Sequence, residues 1–138
     1  MIIADTNIVS EFMRDTPDPE VLAWAQGIDP AELGICVVTV QEIERGLGRL
    51  PVGKRRTNLE ESWQQLVEKF RDTVAVYDLL AARATAQILV DAEAGGRPMS
   101  LADAQIAGIC VSRGSNLATR NSRDFDGVAG LAVVNPFG

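Results

Sequence analysis

The chain has 138 residues, 46% of them hydrophobic and 23% charged, which are values typical of one globular domain. It contains no histidine, which excludes Ser-His-Asp catalysis, a histidine base and histidine-ligated zinc. The net charge of −6 is unevenly spread, because residues 1–44 carry −8 and residues 45–138 carry +2.

The sequence has no apolar run long enough to span a membrane, and its first residues lack the basic and apolar regions of a signal peptide. We therefore expect a cytoplasmic protein without membrane contact. Cys36 and Cys110 each lie in an apolar stretch, 74 residues apart. Buried free thiols are expected there rather than a disulfide.

Apolar runs and periodicity predict strands that alternate with helices. The predicted strands cover residues 1–4, 34–38, 73–76, 116–119 and 131–134. Six helices are predicted. They run from a Thr6 or Asn7 cap to about residue 13, from residue 20 to 26, from a Thr39 cap to about residue 50, from residue 54 to 70, from residue 79 to 93, and from Ser100 to about residue 113.

This alternation predicts a single α/β domain over residues 1–138, built on a central, mostly parallel sheet of four to five strands. The helices of residues 54–95 form a helical excursion between the second and fourth strands, interrupted only by the third.

Acidic side chains follow two of these strands directly or one helical turn later. Asp5 comes just after the first strand, and the carboxyl ends of parallel strands are where such sheets bind ligands. Glu42 lies in the first turn of the helix after the second strand. Both residues also have ordinary explanations: Asp5 as a turn or helix N-cap residue, and Glu42 as the acid of a Thr39 capping box paired with Arg45.

Asp103 is the only charged residue between positions 101 and 112, in a helix that is otherwise apolar or small on all sides. A carboxylate in such a helix needs a partner, and either the capping bond from Ser100 or a metal ion would provide one. A polar loop containing Thr119, Asn121 and Asp124 follows the fourth strand. In a parallel sheet, these acids and the polar loop would all lie at the edge formed by the carboxyl ends of the strands.

Several carboxylates sharing one pocket repel each other unless a cation compensates them. Oxygen ligands without histidine or cysteine select Mg²⁺ or Mn²⁺, and such an ion activates water for phosphodiester hydrolysis. The residues therefore favour a metal-dependent hydrolase.

Five basic residues cluster between positions 45 and 56: Arg45, Arg49, Lys54, Arg55 and Arg56. They fit a solvated helix end and loop, and they equally fit a surface for phosphates or for an acidic partner.

Four blocks resemble, in order and at the usual spacing, those of PIN-domain nucleases: residues 5–11 (DTNIVSE), 40–46 (VQEIERG), 101–107 (LADAQIA) and 118–125 (ATRNSRDF). The resemblance covers essentially the whole chain and is strongest to the VapC/FitB-like branch, the toxins of bacterial type II toxin–antitoxin pairs. It implies a PIN-like α/β/α sandwich and a Mg²⁺- or Mn²⁺-dependent endoribonuclease that cleaves single-stranded or loop RNA.

Carried over from the family, Asp5, Glu42 and Asp103 are catalytic, metal-binding acids. Thr6, Asn7, Thr119 and Asn121 orient ligands or substrate. The family's fourth acidic position falls on Asn121, an amide, and Asp124 follows three residues later as a further catalytic candidate. Which of the two fills the fourth position stays open.

The resemblance also implies a homodimer and a small VapB-like antitoxin whose tail places an arginine among the acids. Arg45, Arg49 and Arg55 would then contact RNA phosphates around the acidic centre.

Two other interpretations stay open. An aspartyl-phosphate phosphatase would want a second Asp where Asn7 stands and a lysine near the site, whereas the only lysines are Lys54 and Lys69 in the helical excursion. A catalytically weak PIN-fold binding module is the non-enzymatic alternative.

Overall fold

The computed structural model describes residues 1–137. Its strands are β1 (Ile2–Ala4), β2 (Leu33–Cys36), β3 (Val74–Ala75), β4 (Asn116–Ala118) and β5 (Val133–Val134). Its helices are α1 (Thr6–Phe12), α2 (Pro19–Gln26), α3 (Val37–Arg49), α4 (Lys54–Lys69), α5 (Leu79–Ala94) and α6 (Leu101–Arg113). Short 3₁₀ turns occupy Pro30–Glu32, Arg71–Thr73 and Ser122–Phe125.

The five strands form one sheet in the order β3-β2-β1-β4-β5, and every paired neighbour is parallel. The predicted α/β class and the predicted parallel sheet of four to five strands are confirmed. The chain runs outward from β1 to β2 and β3 on one side, and it later returns to place β4 and β5 on the other. The crevice beside the carboxyl end of β1 is therefore a topological switch point, where open α/β sheets bind ligands.

Helices cover both faces of the sheet, because successive strand residues point to opposite faces. Ile3, Cys36 and Leu117 pack into a core formed with α5 and α6. Ala4, Ile35 and Ala118 pack into a second core formed with helices α1 to α4. This layering confirms the predicted α/β/α sandwich.

The amphipathic stripes of α3 and α4 face the second core as their periodicity predicts. Ile43, Leu47 and Trp63 are buried there, and burial of each such side chain stabilises the fold by about 1.5–3 kcal/mol. Both cysteines are buried and free, as expected. None of the helices in the described range combines the length and apolarity that crossing a membrane requires.

The predicted boundary between β2 and α3 was wrong. The strand ends at Cys36 and the helix begins at Val37, so Thr39 is inside the helix and is not its N-cap. The cap is Cys36, whose backbone is extended and whose side chain makes no capping bond. The uninterrupted apolar run of residues 35–38 carries no period that would separate a buried strand from a buried helix turn.

Helix α1 begins one residue earlier than a Thr6 or Asn7 cap predicts, because Asp5 is the N-cap, as its alternative interpretation held, and it accepts a bond from the Thr6 backbone N–H. The remaining helix ends agree with the prediction to within one residue. Ser100 caps α6, and Gly114 ends it in the left-handed conformation with φ of 65°. Strand β5 covers only the second half of predicted residues 131–134.

Candidate active site

Asp5 is fixed at the switch point by its backbone and by its side chain. Its N–H donates to the carbonyl of Ala118 at 2.8 Å, which continues the ladder between β1 and β4 by one residue. Thr119 is held in the same way, because its N–H donates to the carbonyl of Val134 at 3.0 Å. The two residues therefore sit side by side at the carboxyl ends of adjacent strands, as the predicted topology requires.

Three donors converge on the Asp5 carboxylate, which is only 5% exposed. The Thr119 hydroxyl donates to Oδ2 at 2.7 Å, the Asn7 amide donates to Oδ2 at 3.3 Å, and the Thr6 N–H donates to Oδ1 at 2.8 Å. Because a carboxylate has about four lone-pair sites, one on Oδ1 is left without a partner in the described range. These bonds fix the direction in which that lone pair points.

Asn7 joins the helix side of the site to the loop after β4. Its Nδ2 also donates to Thr119 Oγ1 at 3.3 Å, and its Oδ1 accepts from the Arg120 N–H at 3.1 Å. Thr119 Oγ1 further accepts from the Asn121 N–H at 3.1 Å. The positioning role that the resemblance implied for Asn7 and Thr119 thus corresponds to a closed hydrogen-bond network around Asp5.

Glu42 reaches the same network from α3. Thr6 Oγ1 donates to Glu42 Oε1 at 2.7 Å, and the rest of the carboxylate is exposed. The capping box suggested for this residue is absent because Thr39 lies inside the helix. Arg45 makes no ion pair within the described residues, so the alternative account of Glu42 as a capping and pairing acid loses its two contacts.

Asp103 enters the site from the first turn of α6. The Ser100 side chain accepts from the Asp103 N–H at 3.2 Å, so the predicted helix start is confirmed. Helix α6 packs closely against α5, so closely that a side chain at Gly108 would collide with Thr85. This contact holds α6, and with it the first turn that carries Asp103. Unlike Asp5, the half-buried carboxylate of Asp103 has one supporting group in the described range, the Ser100 side chain, whose hydrogen bond lowers its pKa.

The electrostatics of the site reflect this crowding of acids. Burial is the main cause that raises the pKa of Asp5; the Glu42 charge adds to it, and the bonds from Thr119, Thr6 and Asn7 oppose it. Burial also raises the pKa of Asp103; repulsion from Asp5, Asp124 and Glu42 adds to it, and the hydrogen bond with the Ser100 side chain opposes it. Asp103 therefore lies within electrostatic range of the other three acids.

A PIN domain family profile matches residues 2–131 of the chain. The chain belongs to the PIN-domain family. The match spans every element from β1 to the loop before β5, so it includes all the acids described above.

Relatives and solved structures agree with this assignment. The chain is 35% identical over 138 residues to the VapC ribonuclease Y4jK of Sinorhizobium fredii, with 99% of this chain and 98% of the relative covered. It is 31% identical to the toxin FitB of Neisseria gonorrhoeae, with 99% of both chains covered. The crystal structure of FitAcB from Neisseria gonorrhoeae superposes with a TM-score of 0.89 at 31% identity, covering 99% of this chain and 98% of that one.

The donor set of this PIN domain suits Mg²⁺ or Mn²⁺, but the acids do not converge on one point. Within residues 1–137, no three acidic or cysteine side chains stand close enough together to hold a single ion. Mg²⁺ ordinarily keeps several waters and takes only one or two protein carboxylates directly. An ion on the free lone pair of Asp5, with Glu42 and Asp103 reached directly or through water, is compatible with this spacing.

The loop after β4 contributes less than predicted. The Asn121 side chain makes no hydrogen bond within the described residues, and only its N–H takes part in the network. Asp124 is exposed on the Ser122–Phe125 turn and acts on Asp103 through its charge.

The tentative RNA-contact residues Arg45, Arg49 and Arg55 are exposed and lie outside the acid network. At 1.5 Å of rise per residue, Arg49 is roughly 10 Å along the α3 axis from Glu42. Arg49 is therefore placed to contact a chain that passes the acids.

Sequence reasoning missed two parts of this region. One is a cleft of about 580 Å³ beside the acids, where Asp103 and Asp124 meet Arg97 of the loop before α6 and Gly127 of the loop before β5. Gly127, at φ of 82°, lies where a side chain would collide with the Arg97 guanidinium. The Arg97-Pro98 and Asp126-Gly127 pairs mark two turns, but no local pattern indicates that these turns meet.

The other is the pair Thr39 and Cys36, which lies beneath Thr6. The sequence predicts a helix cap at the fully buried Thr39 and an inert core residue at the cysteine. The only signal in the sequence was a threonine three residues before a candidate catalytic acid, and that spacing equally describes a capping box.

Proposed function

We propose that this PIN domain is a metal-dependent endoribonuclease that cleaves single-stranded or loop RNA. Asp5, Glu42 and Asp103 hold one Mg²⁺, or Mn²⁺, between α1, α3 and α6. When bound, the ion supplies positive charge against the phosphate and activates a water for attack on the phosphodiester.

The observation that carries this proposal is an uncompensated group of acids. Asp5, Glu42, Asp103 and Asp124 form no ion pair within the described residues, although burial and charge repulsion disfavour the ionised forms of Asp5 and Asp103. Asp5 is nevertheless surrounded by three donors that stabilise its ionised form. A site that keeps a buried carboxylate charged beside other carboxylates has an arrangement suited to a cation.

Each residue then has a role that its contacts support. Asp5 is the fixed ligand, since its bonds leave one lone pair in a defined direction. Thr119 and Asn7 hold Asp5, and Thr6 holds Glu42. Asp103, which only the Ser100 side chain supports in the described range, and the exposed Asp124 are free to adjust to the ion, its waters or the scissile phosphate.

The relatives support RNA as the substrate and toxin as the biological class. One relative bears the name VapC ribonuclease and another the name toxin FitB. We infer by this kinship that a small VapB-like antitoxin neutralises the nuclease and that the active unit is a homodimer. The excess of acid in residues 1–44 suits an antitoxin tail that brings an arginine to the site.

The deciding experiment is metal-dependent cleavage by purified protein freed of any partner. Mg²⁺ and Mn²⁺ are titrated against a structured RNA pool, with the Asp5→Asn/Asp103→Asn double variant in parallel. A matched double variant, Asp15→Asn/Asp72→Asn, removes two exposed acids away from the site. We expect cleavage by wild type and by the matched variant, cessation on EDTA addition, and no cleavage by the site variant.

The opposite result defines the alternative. If wild type and the site variant are equally inactive, and calorimetry detects no Mn²⁺ binding to the folded wild type, the nuclease proposal fails. The binding-module interpretation then takes its place. A burst with a chromogenic phosphate ester, or trapping with beryllofluoride, would instead point to the aspartyl-phosphate interpretation.

A further inference from the structure

A line of three polar side chains leads from the core to Glu42. Cys36 Sγ lies 3.8 Å from Thr39 Oγ1, and Thr39 Oγ1 lies 3.2 Å from Thr6 Oγ1. Thr6 Oγ1 in turn lies 2.7 Å from Glu42 Oε1. Cys36 and Thr39 are fully buried, whereas Glu42 is exposed, so the line connects the interior to the rim of the site.

The number of hydroxyl protons decides which side chain donates in each of these hydrogen bonds. Thr6 has one hydroxyl proton and cannot donate to both of its neighbours. Its shorter contact is to a carboxylate, which accepts only, and charge-assisted bonds are about twice as strong as neutral ones. The Thr6 proton therefore goes to Glu42, and the bond between Thr6 and Thr39 is supplied by the Thr39 proton.

The same argument extends one step further. Once Thr39 donates to Thr6, its contact with Cys36 requires the thiol proton. Burial raises the pKa of the Cys36 thiol, so that proton is present at neutral pH. All three protons therefore point along the line toward Glu42, and neighbouring bonds in such a chain strengthen one another.

A purely structural explanation of Thr39 is weaker than this one. A threonine near the start of a helix commonly returns its proton to a carbonyl one turn earlier, as Thr85 does to Ala81 at 2.8 Å. Thr39 has no such bond within the described residues. Valine would fill the same buried space, so packing alone does not account for the hydroxyl.

We propose that Thr39 is a positioning residue that holds the Glu42 carboxylate in place through the Thr6 hydroxyl. Thr6 occupies Oε1 of Glu42, so Oε2 is left for a ligand. The inference deepens the proposed function, and its consequence for the metal rests on that function. The hydrogen-bond relay of Cys36, Thr39 and Thr6 stands on its own contacts.

The first test measures Mn²⁺ affinity by calorimetry on the purified chain without RNA. Loss of a group that orients a metal ligand typically weakens metal binding by about 10- to 100-fold. Because Thr39 acts through Thr6, we expect Thr39→Val to fall at the lower end, about tenfold. Thr39→Ser, which keeps the hydroxyl, should stay within about twofold of wild type.

Thr73→Val is the matched control, because the Thr73 hydroxyl bonds only to the carbonyl of Phe70, far from the acids. It should bind Mn²⁺ as wild type does. Wild-type affinity in Thr39→Val overturns the proposal, and so does equal weakening by Thr39→Val and Thr39→Ser.

The second test needs no metal. The midpoint of urea unfolding is measured for Thr39→Val, Glu42→Ala and the double variant. The relay predicts that the shift caused by Thr39→Val becomes smaller once Glu42 is gone, because the end of the line has been removed. Thr39→Ala, which also removes the hydroxyl, replaces Thr39→Val in the cycle if the valine variant does not fold.

The two tests separate the two proposals. Absence of Mn²⁺ binding by the wild type defeats the proposed function, and the unfolding cycle then decides the relay by itself. Additive shifts in the cycle show that Thr39 and Glu42 are uncoupled, and they overturn the positioning role whatever the metal result.

Discussion

The two sides of the acidic site are held in different ways. On the side of Asp5, donors from Thr6, Asn7 and Thr119 surround a buried carboxylate, and the strand ladder fixes its backbone. On the side of Asp103 and Asp124, the carboxylates are half-buried or exposed, and in the described range only the Ser100 side chain stabilises the ionised form of Asp103. The Asp5 carboxylate is therefore fixed in position (the fixed side), whereas the Asp103 and Asp124 carboxylates can adjust theirs (the adjustable side).

This difference follows from the elements that carry the acids. Asp5 comes at the end of a central strand, where neighbouring strands on both sides restrain the chain. Asp103 lies in the first turn of a helix and Asp124 on a short 3₁₀ turn, where side chains extend from the frame. A fixed ligand sets the place of an ion, and adjustable ligands accommodate its waters and substrate.

The largest effect on cleavage is expected from a substitution of Asp5, the ligand on the fixed side. Asp5→Asn removes the charge of the anchored ligand, and losing roughly 4 kcal/mol of transition-state stabilisation lowers cleavage about a thousandfold. Single-turnover cleavage of a labelled RNA in saturating Mg²⁺ measures it.

Asp29→Asn is the matched control for that variant. Asp29 also caps a helical turn, accepting from the Ala31 N–H at 2.9 Å, but on the exposed surface. Its cleavage rate should equal the wild-type rate. A rate for Asp5→Asn within about tenfold of wild type, in a folded sample, would contradict the role of Asp5 as anchor.

Removing a support of Asp5 should affect stability before chemistry. Thr119→Val keeps the shape but leaves the Asn7 amide and the Asn121 N–H each short of an acceptor at a largely buried place. Leaving such groups unsatisfied lowers the free energy of unfolding by about 1–3 kcal/mol. Urea unfolding monitored by tryptophan fluorescence measures the loss.

Thr57→Val gives the comparison for that change, because the exposed Thr57 hydroxyl contacts only the Gly53 carbonyl. Equal losses in the two variants would mean that the network around Asp5 adds no stability beyond that of an ordinary surface hydroxyl.

On the adjustable side, removal of a charge should raise the free energy of unfolding of the metal-free protein. The raised pKa of Asp103 means that the folded state binds more protons than the unfolded state between about pH 3.9 and the folded pKa. Unfolding free energy therefore falls as pH rises through that window, and the whole penalty is present above it. Asp103→Asn should stabilise the metal-free protein at pH 7 and give no gain below the unfolded pKa.

Thermal unfolding of wild type and Asp103→Asn across this pH range checks the sign. Saturating Mn²⁺ should reverse the order at pH 7, because an ion that binds only the folded wild type stabilises it by mass action. A variant that is less stable than wild type at pH 7 without metal would show that Asp103 is not repelled by its neighbours.

The sequence predicted the framework of this site better than its interior. Asp5, Glu42 and Asp103 were found because strand ends and helix starts can be read from local periodicity, and parallel topology brings those ends to one edge. The resemblance to PIN-domain nucleases supplied the grouping, and the matching profile confirms the family.

What sequence reasoning missed depends on contacts between distant segments. The contact between Thr6 and Thr39, on which the proposed role of Thr39 rests, joins residues that are 33 positions apart. Thr39 next to Glu42 matched a capping box equally well, and local spacing cannot separate a cap from a buried relay. The meeting of Arg97 with Gly127 likewise depends on how two loops fold together.

The smallest effect is expected outside both sides, on the basic surface of α3 and α4. Arg49 and Arg55 are exposed and form no ion pair with the acids in the described range, so the Arg49→Glu/Arg55→Glu variant should leave Mn²⁺ affinity unchanged. If both arginines neutralise phosphates, RNA binding weakens, and the slope of log K against log salt falls by about 0.7 for each phosphate of a single strand that is no longer neutralised. Binding is measured by fluorescence anisotropy in Ca²⁺ or EDTA at several salt concentrations.

The Lys69→Glu/Arg83→Glu variant makes the same charge change at two other exposed positions and controls for overall charge. An equal loss of affinity in both variants would reduce the basic cluster to a general charge effect, whereas unchanged RNA affinity in the first would leave it as a solvated helix end. A loss confined to the first variant places the RNA path along α3, from the basic surface toward the fixed carboxylate of Asp5.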